Sequence, residues 1–212
     1  MKKRLFFLPT LLLAPIFLNA GQVAAAVPVV GGSNSAVAFQ ESATPLKILA
    51  VPDIHFGVDN EIAGGAEAFY KMQENGPYVD ANGDPGTLVS SKKIEIQDSR
   101  SVATGNTWTL KAKLDEDFVE PDSNTSFAGQ IKFLDSASST AIGGTNVAQL
   151  IQGATIGKGV EAIVAERTDN SYGTATMTFA NDHIELIVPA TAELKTGVVY
   201  QTTITWTLTD AP

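Results

Sequence analysis

Polar and apolar residues alternate through the final segment of the chain, residues 200–212, with the period of two that is typical of a β-strand. Ile204, Trp206 and Leu208 are two residues apart and therefore share one face. Threonines fill the other face, and threonine suits a pleated strand because its β-branched side chain is stiff. The pattern predicts a strand with one apolar face and one hydroxylated face.

A second segment, which begins at Trp108, repeats this pattern. Trp108 and Leu110 lie on its apolar face together with Ala112 and Leu114, while threonine and lysine alternate on the other face. Both tryptophans of the chain occur in Trp-Thr-Leu tripeptides. Our hypothesis is that the two Trp-Thr-Leu strands lie near each other in one sheet.

Several other segments alternate in the same way and are separated by turn clusters rich in Gly, Pro, Asn and Asp. The clearest lie at residues 46–51, 93–97, 127–134, 175–179 and 184–188. Residues 63–74 form a segment interrupted by glycine, and its pattern allows a turn of helix. About eight to ten short strands with little helix predict an all-β fold, an antiparallel β-sandwich of Greek-key or jelly-roll-like type.

The first residues carry the pattern of a secretory signal peptide. Basic residues at positions 2–4 precede an apolar stretch at residues 5–18, which is too short and too interrupted by proline to span a membrane. Small residues at positions 24–26 provide a cleavage site, and cleavage after Ala20 is the second choice. We therefore divide the chain into a signal peptide at residues 1–26, a flexible mature N-terminus at residues 27–45 and a β-sandwich domain at residues 46–212.

The chain is acidic, with 14 basic and 23 acidic residues and a formal net charge of −9. Residues 1–26 contain three basic and no acidic residues, so the remainder has 14 − 3 = 11 basic residues and a charge of 11 − 23 = −12. This balance argues against nucleic acid and anionic membrane surfaces, because both recruit basic patches. It equally disfavours polyphosphate wall polymers, and it favours a neutral glycan, a peptide or a protein partner.

Cysteine is absent, so the chain forms no disulfide and carries no lipid on a cysteine. No second apolar run of membrane length follows the leader, and we expect no membrane contact once the signal peptide is removed. The expectation is a protein that is free outside the cell or is held there by non-covalent contacts.

Motifs for catalysis or for a cofactor are lacking in the sequence. His55 and His183 have neither a nucleophile motif nor a metal-ligand neighbour at the required spacing. Residues 80–86 resemble the front of a calcium loop, but Pro85 and Ser91 stand where that loop needs glycine and glutamate, so we interpret the segment as a turn. The sequence therefore predicts no enzyme, no metal site and no cofactor.

The residues around the two tryptophans resemble the WxL family of cell-surface domains in Gram-positive bacteria. The residues similar to the distal family signature are Tyr200, Ile204, Thr205, Trp206, Leu208 and Pro212. Those similar to the proximal signature are Asp98, Arg100, Trp108 and Leu110. The spacer between Arg100 and Trp108 holds one glycine where the family often has more, and residues 51–57 resemble the family's first strand.

The resemblance covers about residues 46–212 and implies a small stand-alone WxL-type domain. It implies a secreted protein that attaches non-covalently to the peptidoglycan of the cell wall at the cell surface. It also implies companion proteins, exported with this chain and bearing immunoglobulin-like domains, with which it forms complexes. The alternative is a structural or adhesive subunit whose contact with the wall runs through such a partner.

The motif residues allow two interpretations. In the first, indole faces stack on sugar rings, and the residues of wall association are Trp108, Leu110, Tyr200, Trp206 and Leu208. In the second, these side chains build the core, because each tryptophan shares a strand face with leucine, and loops or threonine faces bind the wall. Asp98 and Arg100 project from the same side of an extended segment, and we expect them to tie the loop before Trp108 by a salt bridge or by backbone hydrogen bonds. Contact with a ligand is the alternative role for this pair.

Overall fold

The computed structural model of the chain describes residues 44–79, 83–100, 107–123, 125–138, 148–168 and 172–210. The expectations for the signal peptide at residues 1–26 and for nearly all of the N-terminal segment at residues 27–45 lie outside these residues, as does Pro212. The described residues all belong to one compact unit, Phe39–Pro212.

Short strands make up the regular structure of the described residues. They are β1 Leu46–Ala50, β2 Ala68–Lys71, β3 Asn75–Val79, β4 Pro85–Val89, β5 Lys93–Asp98, β6 Trp108–Leu114, β7 Phe118–Val119, β8 Ser126–Phe127, β9 Gln130–Phe133, β10 Ala137–Ser138, β11 Gln149–Leu150, β12 Ala154–Gly157, β13 Ala162–Arg167, β14 Gly173–Thr178, β15 Ile184–Val188 and β16 Ile204–Asp210. One 3-10 turn spans Asn181–His183, and the described part of the chain contains no α-helix.

The strands form three four-stranded sheets and two hairpins. The sheet orders are β1-β5-β14-β10, β11-β13-β6-β16 and β12-β9-β15-β2, and the hairpins are β3-β4 and β7-β8. Every pairing between strands is antiparallel. The prediction of an all-β, sandwich-like antiparallel fold with little helix is confirmed.

One hydrophobic cluster joins the three sheets. In β6, the four apolar residues from Trp108 to Leu114 are buried, while the residues between them are exposed or half-buried. The same alternation buries Ile94 and Ile96 of β5 and Ile131 and Phe133 of β9. Each such side chain contributes about 1.5–3 kcal/mol of hydrophobic stabilisation when it leaves water. The apolar residues that recur at every second position therefore indicate which side of each strand faces the core.

The two Trp-Thr-Leu strands are neighbours in one sheet, as we hypothesised. Strand β16 pairs with β6 along its whole length, with Leu208 opposite Leu110 and Trp206 opposite Ala112. Residues that lie opposite each other in an antiparallel pair project to the same face, so both tryptophans lie on the core side. The strands differ in position, because β6 lies between β13 and β16 whereas β16 ends its sheet.

The segment at residues 63–74 forms strand β2 and not the turn of helix that the sequence allowed. A turn at Gly64 and Gly65 precedes β2, which then pairs with β15 from Ala68 opposite Val188 to Lys71 opposite Glu185. Glycine destabilises a helix, and a neighbouring strand provides hydrogen-bond partners for the backbone groups. Tertiary pairing therefore overrides the weak local preference for helix.

The predicted strand at residues 127–134 is divided in two. Strand β8 ends at Phe127, and β9 begins at Gln130 after Gly129. A Cβ atom at Gly129 would lie 2.6 Å from the ring of Phe118, so only glycine fits there. The close approach allows the rings of Phe118 and Phe127 to stack with their centroids 5.2 Å apart.

Candidate functional site

Asp98 and Arg100 form a buried ion pair at the end of β5. The Arg100 Nε donates to Asp98 Oδ1 at 2.9 Å, and Nη2 donates to Oδ2 at 2.7 Å. The backbone N–H of Arg100 also donates to Oδ1, at 3.1 Å. These hydrogen bonds with Asp98, helped by the carboxylate of Asp210, raise the pKa of Arg100 above its already high ordinary value. A bidentate pair of this kind fixes both side chains in one orientation.

Arg100 also joins two other strands to this pair. Its Nη2 donates to the backbone carbonyl of Thr107 at 3.1 Å, and its Nη1 contacts the carboxylate of Asp210. Thr107 directly precedes β6, and Asp210 is the last residue of β16. The guanidinium therefore holds the end of β5, the start of β6 and the end of β16 together, which is the tie before Trp108 that the sequence led us to expect.

Trp108 lies in the core beside this network. Its side chain has no exposed surface, and the guanidinium carbon of Arg167 lies 5.6 Å from the centre of its ring. That distance is typical of a cation–π contact. Among the described residues the indole Nε1 of Trp108 has no hydrogen-bond partner. Leu110, two residues on, is equally buried, so both residues contribute packing and present no surface to a ligand.

Trp206 has a different environment in the neighbouring strand. Its side chain is partly exposed, and its ring packs edge-on against Phe133 with centroids 6.0 Å apart. Leu208 is likewise half-buried and packs against the core. Because β16 ends its sheet, one flank of Trp206 is left open to a surface cleft.

This cleft has a volume of about 580 Å³. Its lining includes residues 51–58, which follow β1, and residues 194–204, which lead into β16. Apolar core side chains such as Ile131 and Leu186 form its floor. A concave site of this size with an apolar floor is the usual form of a ligand-binding site.

Tyr200 belongs to the wall of the cleft. Its ring packs edge-on against Phe127 with centroids 5.2 Å apart, and its hydroxyl accepts a hydrogen bond from the backbone N–H of Lys195 at 3.0 Å. The Nζ of Lys195 is turned to a polar loop, where it donates to Thr125 Oγ1 at 2.7 Å and pairs with Glu120 at 3.5 Å. The rings of Tyr70 and Tyr78 also line the cleft.

The hairpin β3–β4 contributes another wall, and two side chains hold it. Gln201 accepts from the backbone N–H of Val79 at 3.2 Å and donates to the carbonyl of the same residue at 3.0 Å. The Nδ1 atom of His55 accepts from the N–H of Gly57 at 2.8 Å, so its Nε2 carries the proton that is donated to the carbonyl of Pro77 at 3.0 Å. A Cβ atom at Gly76 would lie 1.9 Å from the His55 ring, so the ring requires glycine there.

Threonine hydroxyls line the outer face of β16, and the neighbouring face of β6 adds Thr109 beside Lys111 and Lys113. Thr109 and Thr209 hydrogen-bond to each other at 2.9 Å. Thr205 and Thr203 donate to the carboxylate of Asp115 at 2.6 and 2.9 Å, and these bonds, with that of Thr205 first, lower the pKa of Asp115. The face is polar and solvent-exposed, and its hydroxyls are partly engaged with one another.

The structure thus separates the sequence-predicted site residues into two groups. Asp98, Arg100, Trp108 and Leu110 lie in the core and its ion-pair network. Tyr200 and Trp206 line the cleft, and Leu208 packs beside them at the edge of the sheet. Sequence reasoning missed the hairpin wall and its anchors, Gln201 and His55. A signal for the hairpin was present, since the turn-forming pair Asn82-Gly83 lies between two short runs of β-forming residues, Tyr78-Val79 and Thr87-Leu88-Val89.

Neither a metal cage nor a membrane helix is found in the described part of the chain. Within residues 44–79, 83–100, 107–123, 125–138, 148–168 and 172–210, no three His, Asp or Glu side chains come together as a set of metal ligands. No helix formed by these residues has the length and apolarity needed to cross a membrane.

Taken together, the described residues form an all-β domain with a surface cleft, in which the Arg100 network joins the ends of three strands. A family model described as WxL domain surface cell wall-binding matches residues 27–212 of the chain. The protein therefore belongs to the WxL family, and the resemblance seen at its two tryptophan motifs is confirmed. The family locates the protein among surface proteins that bind the cell wall. Neither the curated proteins nor the solved structures contain a match to this chain.

Proposed function

We propose that the protein is secreted and attaches non-covalently to peptidoglycan, and that the cleft beside Trp206 makes the contact. Membership of a cell wall-binding family supports wall attachment. The cleft carries the proposal about the site, because it exposes aromatic rings beside an apolar floor. Aromatic faces are suited to packing on the apolar faces of sugar rings.

The deciding experiment is a pull-down of residues 27–212 on peptidoglycan that has been stripped of protein and of polyanionic polymers. Circular dichroism on the same sample verifies that the protein is folded. The expected result is saturable binding. A folded protein that stays in solution contradicts direct attachment to peptidoglycan.

A matched pair of tyrosine variants then tests the cleft. Tyr78 lines it, whereas Tyr172 is exposed elsewhere on the surface. We expect Tyr78→Ala to reduce the bound fraction and Tyr172→Ala to leave it unchanged. Equal losses, or no loss in either variant, would remove the cleft from the proposal and leave wall attachment standing.

A protein partner is the second candidate, and the open edge of β16 favours it. Strand β16 pairs with β6 on one side, and on the other side no described strand is bonded to it. An exposed edge presents backbone donors and acceptors that can pair with a strand of another protein. The protein would then be a structural or adhesive subunit, joined to co-exported proteins with immunoglobulin-like domains.

The two candidates differ in the wall preparation that they require. Direct attachment predicts binding to stripped peptidoglycan. Attachment through a partner predicts binding to native walls and none to the stripped material. N-terminal sequencing of the protein from culture, beginning at residue 27 or 21, would test the proposed signal peptide in the same preparation.

A further inference from the structure

We propose that the cleft recognises the glycan strand of peptidoglycan, an uncharged chain of N-acetylated sugars, rather than its stem peptides or an anionic wall polymer. This inference rests on the proposed function above and names the part of the wall that the cleft takes. Three properties of the cleft carry it: its charge, its aromatic walls and the fixed position of those walls.

Charge is the first property. The described lining contains two side chains of the Asp, Glu, Lys and Arg types, and they are Asp53 and Lys195. Lys195 is already engaged by Glu120, Ser123 and Thr125. A stem-peptide carboxylate or a polymer phosphate would therefore find no free cation among the described lining residues and would lose its hydration without compensation. An uncharged ligand avoids that cost.

The aromatic walls are the second property. The lining includes the rings of Tyr70, Tyr78 and Tyr200 and the open flank of Trp206. Sugar rings offer apolar C–H faces and a hydroxyl rim, and aromatic residues with polar tips match both features. The rim continues into the exposed side chains of Val58 and Ile62. The volume of about 580 Å³ lies within the usual range for ligand sites, about 300–1,000 Å³.

The fixed walls are the third property. Gln201 joins residues 194–204 to the hairpin β3–β4 through both polar groups of Val79. His55 joins residues 51–58 to the same hairpin through the carbonyl of Pro77. Hydrogen bonds of the protein itself thus join the segments 51–58 and 194–204 to the hairpin. A preformed site keeps the entropic cost of binding low, which matters for a weakly interacting neutral sugar.

Trp206 provides a direct readout for the test. A soluble tetramer of β-1,4-linked N-acetylglucosamine is titrated into the purified protein while tryptophan emission is recorded. Trp108 has no exposed surface, so Trp206 is the tryptophan whose emission responds to a ligand in the cleft. We expect a saturable change, and we expect the tetramer to displace the protein from stripped peptidoglycan. A synthetic stem peptide at the same concentration should do neither.

Two variants distinguish recognition of an uncharged sugar from recognition of an anion. Tyr78→Ala should weaken tetramer binding about tenfold, since a stacking ring is lost, while the matched Tyr172→Ala should leave the affinity unchanged. Val58→Lys adds a cation to an exposed position on the rim. We expect it to leave tetramer binding unchanged and to raise the affinity for an anionic wall polymer, because the described lining of the native protein offers that polymer no free cation. An anionic polymer that binds the unmodified protein as tightly as the tetramer does would overturn the inference.

The results that overturn the inference leave the proposed function intact. Retention on stripped peptidoglycan without a response to the tetramer would show that the wall is bound elsewhere or through other chemistry. Displacement by the stem peptide, or equal losses in Tyr78→Ala and Tyr172→Ala, would also overturn it. A protein that is not retained by stripped peptidoglycan fails the proposed function itself.

Discussion

The two Trp-Thr-Leu strands have the same tripeptide but contrasting environments. Trp108 lies in a strand with a neighbour on each side, has no exposed surface and contacts the guanidinium of Arg167. Trp206 lies in the last strand of the same sheet, packs against Phe133 in a T-shaped arrangement and leaves a flank open to the cleft. Tryptophan on the same face of the sheet is therefore entirely buried in one strand, whereas in the other strand it is partly buried and partly exposed.

The contrast shows that position in the sheet, and not the motif, determines what each tryptophan can do. A central strand is covered along both edges, whereas an edge strand lacks cover on one side. The motif places a large aromatic side chain on the core face of the strand. The position of the strand in the sheet then determines how much of that side chain is exposed to solvent. Each prediction below tests whether the two strands differ as the structure indicates.

Trp108→Ala is expected to have the largest effect. Removing a fully buried indole leaves a cavity and should lower the free energy of unfolding by about 3–5 kcal/mol. Urea unfolding followed by circular dichroism measures the loss. The fraction of protein that remains folded should still bind peptidoglycan, because Trp108 presents no surface to a ligand.

Trp108→Phe is the control for that variant. It retains most of the apolar volume and removes an indole N–H that has no acceptor among the described residues, so its loss of stability should be clearly smaller. If Trp108→Ala were no less stable than Trp206→Ala, the assignment of Trp108 to a covered strand and Trp206 to an open one would fail.

Arg100→Ala comes next in size. It leaves the buried carboxylate of Asp98 without its partner and releases the start of β6, and we expect a loss of about 3 kcal/mol. Asp210 is the second partner of this arginine, and its own side chain is 68% exposed. Asp210→Asn should therefore lower the free energy of unfolding by less than about 1 kcal/mol. Chemical unfolding of both variants measures the difference, and equal losses would contradict the buried position of the Asp98–Arg100 pair.

Trp206→Ala should have a moderate effect on stability and a marked effect on binding. Since part of the ring is already exposed, we expect a loss of about 2 kcal/mol, smaller than for the buried tryptophan. Binding to stripped peptidoglycan should fall about tenfold at a temperature where the variant is folded. Retained binding would place Trp206 with Trp108 as a residue of the core alone.

Asp115→Asn should have the smallest effect, and that effect should depend on pH. Hydrogen bonds from Thr205 and Thr203 lower the pKa of Asp115, so the folded state favours its ionised form. This contribution to stability is complete above the ordinary aspartate pKa of about 4 and disappears as the pH falls through the lower pKa of the folded protein. The variant should therefore melt slightly below the wild type at pH 7, and the gap should close in acid.

Thr205→Val and Thr207→Val provide the matched controls on β16. Thr205 bonds to Asp115, and no side-chain hydrogen bond of Thr207 to Asp115 is present. Only Thr205→Val should reproduce the pH dependence of Asp115→Asn in melting experiments. The same dependence in Thr207→Val would trace the effect to the strand as a whole and not to this carboxylate.

Much of the fold could be predicted because burial of one face imposes a period of two. The apolar faces of β5, β6 and β15 follow directly from that period, and the pairing of the two Trp-Thr-Leu strands was suggested by their likeness. Strand β2 was not predicted, since its support comes from β15, which is distant in sequence. Secondary-structure propensity depends on nearby residues in the sequence, whereas hydrogen bonds between strands can join residues that are far apart in it.

The candidate site was only partly predictable for the same reason. Asp98 and Arg100 are two residues apart in the sequence, so their mutual bond could be expected, whereas the contact with Asp210 depends on sheet order. Tyr200 and Trp206 were singled out by the motif. The cleft that they line also depends on Gln201 and on His55, whose partners lie in a hairpin far away in the chain.

The pairing of β6 with the last strand has a consequence for the time course of folding. Thr109 and Thr209 face each other although they are 100 positions apart in the chain. Closing so long a loop is entropically costly, and domains rich in such non-local pairs fold slowly, over about milliseconds to seconds. Trp108 cannot be fully buried until β16 has been synthesised and has paired with β6. Burial of this tryptophan should therefore be among the last events of folding.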